Sequence, residues 1–164
     1  MNPSYFRIKL PMDEAINRLC NWIYKAPKEI IETSMENAVS VACVNGQWKG
    51  AALYVYYNDG WAVFEDLSGG FSSMPADDWL RFARNDPLVV AGYNDAIIYA
   101  ELKVIEDNIV IKDFFEYSEK PDSYKNIGKL HFEDKAPIES WADVAAFIDE
   151  DDMVFSENGT VYIF

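Results

Sequence analysis

Few residues in this chain could do chemistry, and their spacing matches no catalytic motif. His131 is the only histidine, which removes most metal-ligand and general-base arrangements. Cys20 and Cys43 lack the C-x-x-C spacing of a zinc or redox site. Because each has apolar neighbours, the two cysteines are predicted to be reduced thiols in different elements.

Carboxylates are the abundant reactive group. Two acids held at a fixed separation in a cleft can hydrolyse a glycosidic bond, so a small hydrolase with paired carboxylates is one alternative. None of the acidic clusters follows the D-x-D-x-D-G pattern of a calcium loop, which favours solvated acidic surface. The clusters are Glu65-Asp66, Asp77-Asp78 and the run Asp149, Glu150, Asp151 and Asp152.

Gly69-Gly70 is the only glycine pair that follows a predicted strand. It has neither a Walker lysine nor a G-x-G-x-x-G pattern around it, so a turn is favoured over a phosphate-binding loop. The sequence therefore predicts no catalytic residue, no metal and no cofactor, and a protein that is not an enzyme.

Charge is the most informative part of the composition. The chain has 28 acidic and 14 basic residues, a net charge of −14. Phosphates and anionic membrane surfaces would be repelled, which predicts no nucleic-acid partner, no membrane partner and attraction to a basic protein. The absence of a signal-like or long apolar segment predicts a cytoplasmic protein, and the length of 164 residues predicts a single domain over residues 1–164.

The elements that must position these residues are mostly strands joined by tight turns. Asn45-Gly46 and Asp59-Gly60 tolerate positive φ and separate three β-rich runs. Strands are predicted at residues 4–10, 38–44, 48–57, 61–67, 88–93, 96–105, 108–117 and 130–132, with a final hairpin turning at Asn158-Gly159. Helices are predicted at residues 12–24, 28–35, 75–85 and 137–149, and residues 118–126 are predicted to be a loop.

Because the strands come in hairpins and not in strand–helix alternation, the predicted fold class is α+β. The architecture is an antiparallel β-sheet built from hairpins with flanking helices, which we expect to pack on one face.

Aromatic residues crowd one predicted hairpin. Tyr54 and Tyr56 share a face of their strand, and Trp61 begins the next strand. If helices do not cover that face, these side chains would form a protein-binding surface, because aromatics concentrate in interface cores.

Three stretches resemble the small acidic immunity proteins of bacterial polymorphic and contact-delivered toxin systems. They are KGAALYVYYNDGWAVFEDLSGG, AGYNDAIIYAELKVIEDNIVI and PIESWADVAAFID. The resemblance implies a non-catalytic protein that inhibits a basic cognate toxin, such as a nuclease, by direct binding. It carries no functional residue over to this chain.

The leading hypothesis is therefore a non-catalytic acidic binding protein, present as a monomer or homodimer. Alternatives are the carboxylate hydrolase and a scaffold or ligand-binding module. Predicted partner-binding residues are Asp77, Asp78, Asp149, Glu150, Asp151, Asp152, Tyr54, Tyr56 and Trp61.

Overall fold

A computed structural model describes residues 2–150 and 156–164. Their α-helices are α1 (Met12–Ile23), α2 (Met35–Ala42), α3 (Ala76–Ala83) and α4 (Trp141–Glu150), with a 3-10 turn at Pro121–Ser123. The strands are β1 (Ser4–Ile8), β2 (Glu29–Ser34), β3 (Cys43–Val44), β4 (Gln47–Trp48), β5 (Ala52–Asn58), β6 (Trp61–Asp66), β7 (Leu88–Asn94), β8 (Tyr99–Glu106), β9 (Ile109–Tyr117), β10 (Lys125–Gly128) and β11 (Asn158–Ile163).

The chain divides into two compact units. The first unit contains residues 6–72 and 156–164, and the second contains residues 2–5 and 73–150. Because compact units need not fold independently, one domain over residues 1–164 stays a prediction.

In the first unit the strand order is β6-β5-β11-β2, and every pairing is antiparallel. Helix α2 packs on the face that carries Tyr54, Tyr56 and Val161. Helix α1 lies on the other face, because Asp13 and Cys20 of this helix are close enough to Tyr162 to add, after burial, to the rise in the pKa of its phenol. The helices of this unit thus cover both faces of its strands, not the single face expected.

In the second unit the order is β10-β9-β8-β7, again antiparallel throughout. Helix α4 lies on the face of Tyr93 and Glu116, since the backbone N–H of Trp141 donates to the Glu116 carboxylate. The loop that leads into α3 lies on the opposite face, where the Ser73 N–H donates to Glu101. Both units confirm the α+β class with antiparallel strands and flanking helices.

Four local predictions were wrong. Residues 38–44, expected as a strand, belong mostly to α2, where Ala38 and Ala42 are fully buried one helical turn apart. Residues 28–35, expected as a helix, form β2, which pairs with β11 from the far end of the chain. The expected strand at residues 130–132 is a turn, and the strand found nearby is β10, which begins in the last two residues of the predicted loop.

The fourth wrong prediction is the turn at Asn158-Gly159, since both residues lie in β11. Gly159 is there for close packing. A Cβ at this position would lie 2.6 Å from Cζ of the Tyr54 ring and 2.8 Å from the carbonyl oxygen of Val55. Only glycine lets β11 approach that ring.

Candidate functional site

The predicted carboxylate pair at Glu65 and Asp66 is not a functional pair. The two side chains alternate along β6 and point to opposite faces. Glu65 is buried and accepts a hydrogen bond from the Tyr56 hydroxyl at 3.2 Å. Asp66 accepts the backbone N–H groups of Gly70 and Phe71, at 3.1 and 2.7 Å, and so fixes the Gly69-Gly70 loop.

Asp77 and Asp78 lie in the first turn of α3, where carboxylates favour the helix dipole. Asp77 is exposed, whereas Asp78 pairs with Arg81 one turn further along. The position of Asp78 is explained by the helix dipole and by its ion pair with Arg81. Asp77 is the acid of this helix that remains available to a partner.

Two predicted aromatic contacts are excluded by burial. Tyr54 is fully buried and Tyr56 is 3% exposed, because α2 covers their face. Trp61 is half-buried, with the Arg7 guanidinium 5.0 Å from its ring centroid. The predicted partner-binding surface on this hairpin is therefore corrected: its tyrosines form the core of the first unit.

Among the described residues, the two thiols and the histidine belong to no cluster of metal ligands. Cys20 and Cys43 are free and half-buried, and burial raises the pKa of the Cys20 thiol, which weakens it as a nucleophile. His131 is exposed beside the Phe132 ring. Within residues 2–150 and 156–164, no three His, Cys, Asp or Glu side chains are grouped as they would be around a metal ion.

A buried polar network lies ahead of α3. Glu101 accepts a hydrogen bond from the Tyr99 hydroxyl at 2.6 Å, and its second oxygen pairs with Lys103 at 2.7 Å. The Ser73 hydroxyl lies 3.3 Å from the Tyr99 oxygen. Burial, then the charge of Glu101 and its hydrogen bond, raise the pKa of Tyr99 far above its usual value, so this phenol stays protonated. The network anchors the entry of α3 to β8.

The acidic run 149–152 begins in the last turn of α4, beside the turn that joins β7 and β8. Partial burial, the charges of Asp149 and Asp95 and a hydrogen bond with Asp149 all raise the pKa of Tyr93. The three side chains are therefore neighbours, although Asp95 and Asp149 are 54 positions apart in the sequence. Glu150 is exposed next to them, and Asp151 and Asp152 lie outside the described residues.

The same turn presents two isoleucines to solvent. Ile97 is 41% exposed and Ile98 is 40% exposed. Ile98 has a φ of 45°, which is costly for a β-branched residue. Such backbone strain persists only where neighbouring groups hold it, and it is more frequent at functional positions.

Ser118 supplies that support from the end of β9. Its N–H donates to the Ile98 carbonyl at 3.0 Å, and its hydroxyl donates to the Ile97 carbonyl at 2.7 Å. The Asn94 side chain closes the other end of the turn by accepting the Ala96 N–H at 3.0 Å. The two isoleucines are thus held in place although no side chain covers them fully.

We name this region the β7–β8 turn surface. Its apolar centre is the pair of isoleucines, with Asp149 on the α4 side and Glu119 on the β9 side. Glu119 accepts a hydrogen bond from the Tyr117 hydroxyl at 2.7 Å. Its members are Tyr93, Asp95, Ile97, Ile98, Glu119 and Asp149. Of these, sequence reasoning had singled out only Asp149. Two adjacent isoleucines one residue after an Asn-Asp pair are the available signal, but their composition predicts the start of the strand at residues 96–105.

Comparisons of the chain with protein-family models, with curated proteins and with solved structures gave no match. None of the helices in the described part of the chain has the length and apolar character that a membrane crossing requires. The functional proposal therefore depends on the chemistry of the surface.

Proposed function

We propose that this protein is a non-catalytic binding protein that uses the β7–β8 turn surface to bind a basic protein. The observation that carries the proposal is the pair of exposed isoleucines in a strained, supported turn beside Asp95 and Asp149. Interfaces gain most of their affinity from a few desolvated anchors surrounded by a polar rim. Ile97 and Ile98 are the anchors, and the carboxylates are the rim.

The net charge of −14 supports the choice of a basic partner. Long-range attraction speeds encounter with a positively charged protein, while the apolar anchors slow dissociation. Because toxins that cleave nucleic acid are positively charged where they bind phosphate, a nuclease toxin is the partner class that fits. The protein then acts as a cytoplasmic immunity protein by occupying its toxin.

The test starts from capture of the partner by the immobilised protein from lysate of its own cells. A single protein should be retained by wild type at low salt and lost with the Ile97→Ser/Ile98→Asn variant, since asparagine tolerates the positive φ at position 98. Ile109→Ser is the matched control, because Ile109 is an exposed isoleucine at the β8–β9 turn. The captured protein is then assayed for nuclease activity with and without the inhibitor.

The kinetics separate the two parts of the surface. Asp95→Asn/Asp149→Asn should lower the association rate and its salt dependence, whereas the isoleucine variant should raise the dissociation rate by about tenfold or more. The exposed Asp122→Asn variant is the charge control. A partner that is acidic, or one whose binding is equally affected by the control variants, would refute the proposal.

A further inference from the structure

A groove of about 380 Å³ lies at the C-terminal end of α3. Its lining shares no residue with the β7–β8 turn surface. The last turn of the helix and the β8–β9 turn form its walls. The lining residues are Leu80, Arg81, Arg84, Asn85 and Asn108. Two arginines and two asparagines thus line one groove in a chain with twice as many acidic as basic residues.

Arg84 differs from the other three arginines of the chain. The Arg7 guanidinium lies over Trp61, Arg18 pairs with Glu14, and Arg81 pairs with Asp78. Among the described residues, no carboxylate forms an ion pair with Arg84, although the chain has 28 acidic side chains. Its fork of N–H donors is therefore available to a ligand at the groove.

The backbone fixes where this arginine stands. Arg84 has a φ of 55°, and its N–H donates to the Leu80 carbonyl at 2.9 Å, which closes the helix. The preceding residues Phe82 and Ala83 are fully buried, so the last turn of α3 is fixed by the core. A residue other than glycine is costly at this φ, and here the costly position carries a cation.

Asn108 faces the groove from a second constrained position. It has a φ of 61° in the turn between β8 and β9, a conformation that asparagine tolerates better than most residues. Its carboxamide has two N–H donors and one acceptor. Guanidinium and carboxamide N–H donors match the oxygens of a phosphate or a carboxylate.

We propose that this groove is a binding site for a small oxyanion, held by the fork of Arg84 with Arg81 and the Asn108 carboxamide as further donors. The carbonyl end of α3 repels an anion on the helix axis, so the side chains must bind it beside the axis. The ligand chemistry is an oxyanion of the phosphate or carboxylate type. This site does not depend on the basic partner proposed above.

The experiment is a titration of the full-length protein with inorganic phosphate, and separately with acetate, at constant ionic strength, followed by ¹H–¹⁵N NMR. Saturable shifts of the Arg84 Nε–H and the Asn108 side-chain amide are expected. Shifts with phosphate alone identify a phosphate site, whereas equal shifts with acetate identify a carboxylate site. Absence of saturable shifts with both probes overturns the proposal.

Two variants test the residues without disturbing the fold. Arg84→Gln should weaken binding about tenfold or more, the usual effect of losing a hydrogen bond to a charged group. Asn108→Gly keeps the backbone conformation and removes only the carboxamide, and should also weaken binding. Lys120→Gln, at an exposed cation outside the groove, is the charge control, and a loss there equal to that of Arg84→Gln overturns the proposal.

Discussion

Glu65 is buried in the first unit, where its carboxyl group accepts a hydrogen bond from the Tyr56 hydroxyl. Burial raises the pKa of Glu65 to about 7, and the Tyr56 hydrogen bond opposes this only in part. In the unfolded chain the carboxyl ionises near its usual pKa of 4.5. Between these two values the folded protein holds a proton that the unfolded chain has lost.

The free energy of unfolding should therefore fall as pH rises through the range from 4.5 to about 7. The reason is that the ionised Glu65 carboxylate is unfavourable in the buried site. At 1.36 kcal/mol for each pKa unit, the total loss in the free energy of unfolding is about 3 kcal/mol. Glu65→Gln keeps an acceptor for Tyr56 and removes the charge, so its stability should fall less over that range. Urea unfolding at a series of pH values measures the difference.

The exposed Glu32→Gln variant of the same unit is the control for that measurement. Its pH dependence should match wild type. A Glu65→Gln protein with the wild-type pH dependence would show that Glu65 ionises in the folded state as it does in water.

At the level of single residues, the sequence predicted the exposure of charged side chains better than the role of aromatic residues and glycines. Asp77 and Asp149 were recognised as exposed acids, but Tyr54 and Tyr56 were assigned to a binding surface that α2 covers. Gly159 looked like a turn residue because Asn-Gly is the common hairpin signal. Its real partner is the Tyr54 ring, more than 100 positions away, and no local pattern encodes that contact.

At the level of elements, one buried ion pair holds the segment between β10 and α4 against β9. Lys112 of β9 pairs with Glu133 at 2.6 Å, and both side chains are almost fully buried. Burial works to raise the pKa of Glu133, but hydrogen bonds from Lys112 and from the N–H groups of Leu130 and Ile138 together lower it. The carboxylate thus collects donors from three points of the chain.

Lys112→Met should destabilise the protein by about 3–5 kcal/mol, because it leaves a buried carboxylate without its cation. Adding Glu133→Gln to that variant should recover part of the loss, since the remaining charge is removed. Denaturant midpoints of the single and double variants measure the coupling.

The surface pair Lys129 and Asp134 is the matched control in the same segment, with side chains 61% and 79% exposed. Lys129→Met should cost less than about 1 kcal/mol. A loss for Lys112→Met no larger than for Lys129→Met would contradict the structural role of the buried pair.

Elements with local signals were predicted well. The hairpins β5–β6 and β7–β8–β9 have β-rich runs separated by turn residues, and helices α1 and α3 have a proline before an apolar stripe. The sequence of α2 fits both a helical and an alternating pattern, so the neighbouring sheet decides between them. Strands β2 and β10 depend on partners that only the folded chain brings alongside.

At the level of the whole molecule, charge was the property that the sequence predicted directly, while the arrangement of the candidate surface was not. Asp95, Ile97 and Asp149 become neighbours because α4 packs against β7 and β8, which a linear pattern does not encode. The composition could indicate a basic partner. It could not indicate that the exposed apolar anchors follow the Asn94-Asp95 turn.

The same charge predicts how stability depends on salt. With a net charge of −14, unscreened carboxylates repel one another more strongly in the compact state than in the unfolded chain. Raising sodium chloride shortens the Debye length to about 8 Å near 0.15 M and weakens that repulsion, whereas the buried pairs Lys103–Glu101 and Lys112–Glu133 are screened much less. The melting temperature should therefore rise with salt, by about 3 °C for each kcal/mol gained.

Neutralising exposed acids should reduce that rise. The triple variant Glu32→Gln/Glu106→Gln/Glu157→Gln takes the net charge from −14 to −11 and touches only exposed side chains. It should melt higher than wild type at low salt and converge with it at high salt, because both then lack long-range repulsion. Thermal unfolding of both proteins across a salt series measures these melting temperatures. A melting temperature that falls with salt would mean that surface ion pairs outweigh the net repulsion.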